Sequence, residues 1–129
     1  MLLSSFNISG SALTAERLRM DLVAENLANA ETTRTPQGGP YRRRVPVFSV
    51  GNNGGVIVSS VVEDPAPPKL KYDPSHPDAG PDGYVRMPNV DIAAEMVDLM
   101  AASRAYEASV TALVTSRNMV LKSLEISSK

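Results

Sequence analysis

The chain has 129 residues, a length that fits one domain or one helical core with a small insert. Its 13 basic and 14 acidic residues give a formal charge of −1, so no general positive field favours nucleic acid or an anionic membrane. Cysteine is absent, which excludes disulfides and thiolate metal sites, and no apolar run approaches the roughly 18 residues of a membrane span.

The N-terminal segment predicts an amphipathic helix that runs to about Ala30. Apolar side chains recur every seven residues, at Phe6, Leu13, Met20 and Leu27. Ser9 or Ser11 can cap its start, and helix propensity fades through residues 31–35 before Pro36. The first residues lack a basic region followed by an apolar one, so we expect no cleaved secretory signal.

The middle of the chain predicts a β-hairpin followed by a stiff, extended arm. Residues 41–50 favour a strand, which Pro46 restricts to an edge or bulged position. Residues 56–62 favour a second strand, and the glycine- and asparagine-rich residues 51–55 favour the turn between them. Seven prolines lie between residues 63 and 88, so this segment is predicted to be an extended arm that ends in a tight turn at residues 82–83.

Residues 91–126 predict one long helix with a coiled-coil seam. Eight of ten a and d positions are apolar in a heptad with Ile92, Leu99, Tyr106, Leu113 and Val120 at a, and Met96, Ser103, Val110, Arg117 and Leu124 at d. Asn89 is a candidate N-cap, and Asp91 is favourable in the first turn. We expect the two terminal helices to pack as an antiparallel coiled coil.

The predicted fold is therefore mainly α with a small β or irregular insert. Residues 1–33 form the N-terminal helix of the helical core, residues 34–88 the hairpin and proline-rich arm, and residues 89–129 the C-terminal helix.

Both helices carry more apolar surface than one mutual seam buries. The second stripe is Ala15, Leu18 and Leu22 on the N-terminal helix, and Ala93, Val97, Met100, Ala101, Ala105, Ala108, Ala112 and Leu121 on the C-terminal helix. A helix that is apolar around more than half its circumference is buried on more than one side. At about 25 cal/mol per Å², leaving such stripes in water forfeits several kcal/mol. The pattern favours assembly with copies or related chains, and a small soluble bundle is the alternative.

Several motifs follow one another in a fixed order. Asn26-Leu27-Ala28-Asn29 closes the stretch 17–33, and Gly-Pro-Tyr-Arg-Arg-Arg follows at 39–44. Further motifs lie at 72–78, 82–90, 95–97 and 103–108. In this order they resemble the flagellar basal-body rod protein family, most closely its proximal-rod branch. The chain departs from the family pattern at residues 80–81, where acidic residues are expected.

The resemblance implies a structural subunit and not an enzyme. It implies a basal-body rod protein that self- and co-assembles through its terminal helices into a hollow, torque-transmitting rod in the periplasmic space. The implied partners are copies of itself, other rod proteins and the flagellar type III export apparatus, which exports such chains without a cleaved signal. An export chaperone or adaptor that binds a partner helix is the alternative.

The candidate assembly residues are Leu13, Met20, Asn26, Leu27, Asn29, Arg42, Arg44, Met96, Leu99, Tyr106, Val110, Leu113, Arg117 and Val120. Asn26 and Asn29 either terminate their helix or bind the backbone of a neighbouring subunit. Arg42 and Arg44 share one strand face, where pairing with acidic groups of a neighbour is favoured over nucleic acid. Arg117 either extends from the seam's edge or meets an acidic residue of an adjacent subunit.

No arrangement of residues predicts catalysis, a cofactor site or a metal site. The sequence has no glycine-rich phosphate loop, and its single histidine, His76, has no second histidine or cysteine to form a metal site. We interpret His76 as a solvated loop residue.

Overall fold

The computed structural model describes residues 2–128. In chain order the elements are α1 (Leu2–Ala28), β1 (Arg44–Val50), β2 (Val56–Glu63), β3 (Lys69–Tyr72), β4 (Tyr84–Met87) and α2 (Ile92–Ser127). The strands form two separate antiparallel pairs, β1–β2 and β3–β4. The predicted fold, two long terminal helices around a small β insert, is confirmed. None of the described helices is long and apolar enough to cross a membrane.

Helix α1 begins at Leu2, earlier than the serine caps predict. Ser9 and Ser11 lie inside it, so the prediction that one of them caps the helix is wrong. The Ser11 hydroxyl donates to the carbonyl of Ile8 at 2.7 Å and accepts from the backbone amide of Val56 at 3.1 Å. The Ser11 side chain therefore joins α1 to the first hairpin through a hydrogen bond.

Helix α2 begins where Asp91 caps it. The Asp91 carboxylate accepts hydrogen bonds from the backbone amides of Ala93 and Ala94, at 3.0 and 3.3 Å. Asp91 is thus the N-cap, and the prediction that Asn89 could cap this helix is wrong. The helix has 36 residues, so at 1.5 Å per residue it is about 54 Å long.

The two helices run antiparallel. Near the end of α1, Asn26 contacts Glu95 at the start of α2. Near the start of α1, Phe6 lines one apolar groove with Val120 of α2. The order of contacts is therefore reversed between the helices, as predicted.

The face of α2 that meets α1 differs in phase from the predicted seam. Among the elements, α2 has extensive contact only with α1, so burial along α2 marks this face. The buried or half-buried positions are Glu95, Asp98, Leu99, Ala102, Ser103, Ala105, Tyr106, Ser109, Leu113, Ser116 and Val120. These include four of the predicted a residues and the predicted d residue Ser103, but the other predicted d positions Met96, Val110, Arg117 and Leu124 are exposed. Ala102, Ser109 and Ser116 lie towards α1 instead of the large d residues. Their small side chains allow the backbones of the two helices to approach closely.

The second apolar stripe of α1 is covered by the first hairpin. Ala15 and Leu22 are buried, and Leu18 lines a groove together with Val56 and Val58 of β2. A two-stranded hairpin is marginal in water by itself, so packing on the helix stabilises it. Ala15 and Leu22 of this stripe are therefore already buried within the chain, whereas Leu18 is only half-buried, and its cover by a neighbour stays a prediction.

The first hairpin follows its predicted strands. Pairing runs from Arg44 opposite Glu63 to Val50 opposite Val56, with an irregularity between Val47 and its neighbour Phe48. The predicted bulge therefore lies next to Pro46, which cannot donate a hydrogen bond to the ladder.

The predicted arm folds back on itself as a second β-ribbon that the sequence did not reveal. Strand β3 pairs with β4, from Lys69 opposite Met87 to Tyr72 opposite Tyr84. Prolines 74, 77 and 81 are confined to the connecting loop, so they leave the ladder intact. Gly83 ends this loop with φ +84°, which fits the predicted tight turn.

Candidate assembly interface

A buried polar junction joins α1, β1 and α2. Its centre is Asn26, whose side chain is only 1% exposed. The Asn26 oxygen accepts from the Tyr41 hydroxyl at 2.7 Å and from the Arg44 amide at 3.0 Å. Its nitrogen donates to the Arg44 carbonyl at 2.9 Å and to Glu95 at 3.4 Å. Asn26 thus binds backbone groups of its own chain, and the interpretation that it binds the backbone of a neighbouring subunit stays a prediction.

An ion pair lies beneath this asparagine. Glu95 is 1% exposed, and its carboxylate accepts a hydrogen bond from Nε of Arg43. Arg43 also donates to Asp64 at 3.2 Å. Burial by itself would lower the pKa of Arg43, but the bonds to Glu95 and Asp64 outweigh it and raise the pKa. A buried carboxylate needs such a partner, because an unpaired charge is costly in a low-dielectric interior.

Asn89 connects this junction to the proline-rich segment. Its oxygen accepts from the Arg43 amide at 2.8 Å, and its nitrogen donates to the carbonyls of Asp64 and Ala66 at 3.1 and 3.0 Å. With oxygen and nitrogen both engaged, the side chain is not free to cap α2. Asn89 therefore fixes the entry into α2 relative to both hairpins.

Neither Arg43, Glu95 nor Asn89 was among the predicted site residues. Arg43 is the middle of three arginines, and the alternation of side chains along a strand favoured its neighbours Arg42 and Arg44 as candidates. Glu95 could have indicated a buried ion pair, since it is an acidic residue one position away from the predicted apolar seam. These three residues stabilise the fold, and they determine where the candidate assembly residues lie on the surface.

Asn29 terminates α1, as one of its two interpretations states. Its nitrogen donates to the Glu25 carbonyl at 2.9 Å, and its oxygen accepts from the Thr32 hydroxyl at 3.1 Å. Arg44 pairs with the Glu25 carboxylate at 2.9 Å, whereas Arg42 is exposed and makes no ion pair with any residue in 2–128. Both arginines line one polar pocket, so they do share a surface.

The remaining candidates divide between the helix interface and the surface. The half-buried ones are Leu13, Met20 and Leu27 on α1, and Leu99, Tyr106, Leu113 and Val120 on α2. Met96, Val110 and Arg117 are exposed. The structure therefore places only part of the predicted seam between α1 and α2.

Many large apolar side chains of α2 are exposed in the described chain. We call this set the open face; it consists of Ile92, Met96, Val97, Met100, Val110, Val114, Met119, Leu121, Leu124 and Ile126, which are 37–71% exposed. Large exposed apolar surfaces mark interaction sites. The open face is the best candidate for an assembly interface.

Within residues 2–128, no group of three or more His, Asp or Glu side chains is arranged to hold a metal ion. The Nδ1 atom of His76 accepts a hydrogen bond from the Asp78 amide at 2.9 Å. Asp78 in turn binds Thr33 and Arg34, which lowers the pKa of its carboxyl group. These contacts tie the loop before β4 to the end of α1.

Two protein-family models match the two ends of the chain. Residues 6–34 match the model described as "Flagella basal body rod protein". Residues 82–126 match the one described as "Flagellar basal body rod FlgEFG protein C-terminal". These stretches contain most of α1 and most of α2 with β4, so the matches cover the helical core.

Relatives similar to nearly the whole chain come from distant bacteria. Flagellar basal-body rod protein FlgC from Escherichia coli O6:H1 (strain CFT073) and the one from Salmonella typhimurium (strain LT2) are each 48% identical, over 97% of both chains compared. FlgC from Bacillus subtilis (strain 168) is 46% identical over 95% of both chains. The chain therefore belongs to the FlgC family of flagellar basal-body rod proteins, and it is a structural rod subunit of the flagellar basal body and not an enzyme.

Proposed function

We propose that the chain is a proximal-rod subunit whose helix pair forms part of the inner tube of a hollow, torque-transmitting rod. The hairpin and the proline-rich ribbon then contact neighbouring subunits outside this tube. The observation that carries the proposal is the open face of α2, whose ten large apolar side chains are 37–71% exposed in the described chain. Family membership supplies the kind of assembly that would cover it.

The energetics favour burial of the open face by other subunits. Fully burying a Val, Leu, Ile or Met side chain contributes about 1.5–3 kcal/mol. Association costs an estimated 4–15 kcal/mol in lost freedom of motion, so one or two such side chains are insufficient. The open face offers ten, which is enough to drive association even when each is only partly buried.

The helix pair is suited to a coiled-coil arrangement in such a tube. Eight of the buried or half-buried residues of α2, from Glu95 to Val120, are spaced alternately four and three residues apart. A sustained seven-residue repeat favours a left-handed supercoil of the two helices. Close packing of this kind gives a stiff rod, which is what transmission of torque requires.

The proposed partners are copies of this chain, other rod proteins and the flagellar type III export apparatus. The proposed location is the rod within the periplasmic space, which the chain reaches without a cleaved signal. The near-neutral charge supports a role without nucleic acid. The alternative of an export chaperone or adaptor has no observation of its own in its favour.

Val114→Asp tests the proposal. Val114 lies on the open face and is 45% exposed, so the added carboxylate leaves the free subunit folded but is buried without a partner in the assembly. Thr115→Asp is the matched control, because it adds the same charge at an exposed polar position that the helix turns about 100° away from Val114.

Rods are counted by electron microscopy of basal bodies that carry each variant. We expect Val114→Asp to abolish incorporation and Thr115→Asp to retain it, while both variants keep the unfolding midpoint of the free subunit. Normal rods with Val114→Asp would show that the open face is not an assembly surface.

A further inference from the structure

The β3–β4 ribbon presents an exposed aromatic surface. Cross-strand pairing puts Leu70 opposite Arg86 and Tyr72 opposite Tyr84, so these four side chains share one face of the ribbon. We call this face the aromatic patch. Leu70 and Tyr72 are 66% and 64% exposed, whereas Val85 on the other face is completely buried. The ribbon is thus anchored through one face and open on the other.

The aromatic patch is rigid although it is exposed. The rings of Tyr72 and Tyr84 meet edge to face, with centroids 5.2 Å apart. Tyr72 also lies over Gly83, where an added Cβ would come within 2.7 Å of the ring and 3.2 Å of Pro74. Neighbours therefore hold the ring in place while much of its surface stays in water. A preorganised aromatic surface of this kind loses little side-chain entropy on binding.

A second exposed and rigid surface lies just before β3. We call residues 64–67 the proline segment. Pro65 and Pro67 are exposed and lie on either side of a bend at Ala66. The Asn89 amide binds the carbonyls of Asp64 and Ala66, and the Ala66 amide binds the Asp64 carboxylate at 2.9 Å. The backbone is thus fixed from one side while the proline rings stay accessible.

We propose that the aromatic patch of one copy of this chain binds the proline segment of a second copy. Aromatic side chains are the surfaces that proteins use to bind proline-rich segments, because proline rings pack flat against them. The proposal rests on the proposed assembly of copies and identifies one contact outside the helical tube.

The two surfaces cannot meet within one chain. The proline segment leads directly into β3, where Lys69 already pairs with Met87. No turn separates the segment from its own strand, so it cannot fold back over Tyr72. A contact between different surfaces of two copies is heterologous, and repetition of such a contact generates a helical array.

Charge also favours a second copy as the occupant. Arg86 is exposed at the edge of the aromatic patch, and Glu63 is exposed two residues before Pro65. Neither side chain makes an ion pair within residues 2–128. Docking the proline segment on the patch brings these opposite charges together, which favours the correct register of the two copies.

Interchain disulfide formation tests the contact, because the natural chain has no cysteine. Chains with Ala66→Cys and chains with Leu70→Cys are co-assembled into rods and oxidised. Ala66 uses only backbone atoms in its hydrogen bonds, and both side chains are exposed. A disulfide requires Cα atoms less than about 7 Å apart, so it reports direct adjacency. Ser123→Cys, exposed on α2, replaces Leu70→Cys in the control pair.

We expect a covalent dimer from the 66–70 pair and at least about tenfold less from the control pair, since only the first meets the distance requirement. Adding Pro65→Ala and Pro67→Ala should reduce the dimer to the control level. Assembled rods without the 66–70 dimer would overturn the proposed contact while leaving the rod function intact. A covalent adduct with a different rod protein would show that the occupant is not a second copy.

A binding measurement in solution tests the same contact if the cysteine variants fail to assemble into rods. The full chain is titrated with a synthetic peptide of residues 62–69, and the ring resonances of Tyr72 and Tyr84 are followed by NMR. We expect saturable shifts of both rings and none with a peptide whose prolines are replaced by alanine. Unshifted rings at millimolar peptide would refute the proposal.

Discussion

Replacing Arg43 by alanine tests whether the buried junction holds the helix pair to the hairpin. The change leaves the Glu95 carboxylate, which is 1% exposed, without its ionic partner. Breaking a buried ion pair in this way costs about 3–5 kcal/mol. Arg43 itself is 27% exposed and Asn26 still donates to Glu95, so we expect the low end of that range, about 3 kcal/mol.

The neighbouring arginine provides a matched control. Arg44 pairs with Glu25, and both side chains are 42% exposed, so Arg44→Ala should cost no more than about 1 kcal/mol. The backbone groups of Arg44 that bind Asn26 are unchanged in this variant. The two variants therefore differ mainly in the burial of the carboxylate that each one leaves unpaired.

Urea unfolding followed by circular dichroism at 222 nm measures both costs. With a slope of about 2 kcal/mol per M, a loss of 3 kcal/mol lowers the midpoint by about 1.5 M. Arg43→Met combined with Glu95→Leu should recover most of the stability, because no buried charge remains. Equal losses for Arg43→Ala and Arg44→Ala, or a loss below about 1 kcal/mol for Arg43→Ala, would refute this account of the junction.

Three further predictions concern a tyrosine, an aspartate and a glycine. Burial raises the pKa of Tyr41 to about 12. The stability that its neutral hydroxyl contributes is therefore complete below about pH 10 and is lost as pH rises towards 12. Absorbance at 295 nm should show one tyrosine that ionises late, and Tyr41→Phe should remove this late ionisation. Hydrogen bonds from residues 33 and 34 lower the pKa of Asp78. The contribution of its carboxylate to folding stability is therefore present at neutral pH and is lost on acidification below the usual Asp range. Melting temperatures measured against pH should show this loss in the natural chain and not in Asp78→Asn. Gly83→Ala should increase amide hydrogen exchange in β3 and β4 and leave exchange in the helices unchanged, because φ is +84° and the new methyl group meets the Tyr72 ring; unchanged exchange in the ribbon would contradict this.

The sequence predicted the elements whose signals are local. A turn rich in glycine and asparagine between two β-branched runs specified the first hairpin, and Pro46 indicated its irregularity. The length of α2 followed from an uninterrupted run of helix-favouring residues. Such features depend on neighbours along the chain, so they can be read without the fold.

The second ribbon escaped prediction for an equally physical reason. Prolines on both sides of β3 made the whole segment resemble an extended arm. The ladder forms nevertheless, because these prolines lie outside the paired residues. Pairing of Tyr72 with Tyr84 across a loop of 11 residues is set by tertiary packing, in which Val85 becomes completely buried.

The family and the presence of two long amphipathic helices were determined by the sequence alone, because order of motifs and hydrophobic period are properties of the chain itself. Which face of each helix meets the other was decided only by the tertiary structure. Hydrophobicity favoured large residues such as Met96 for the seam, whereas the fold places Glu95 and Ala102 there. Close backbone approach needs small side chains, and the buried carboxylate is tolerated because Arg43, 52 residues away in the sequence, reaches it. The displaced apolar residues then remain exposed on the open face of α2, which we propose as an assembly interface.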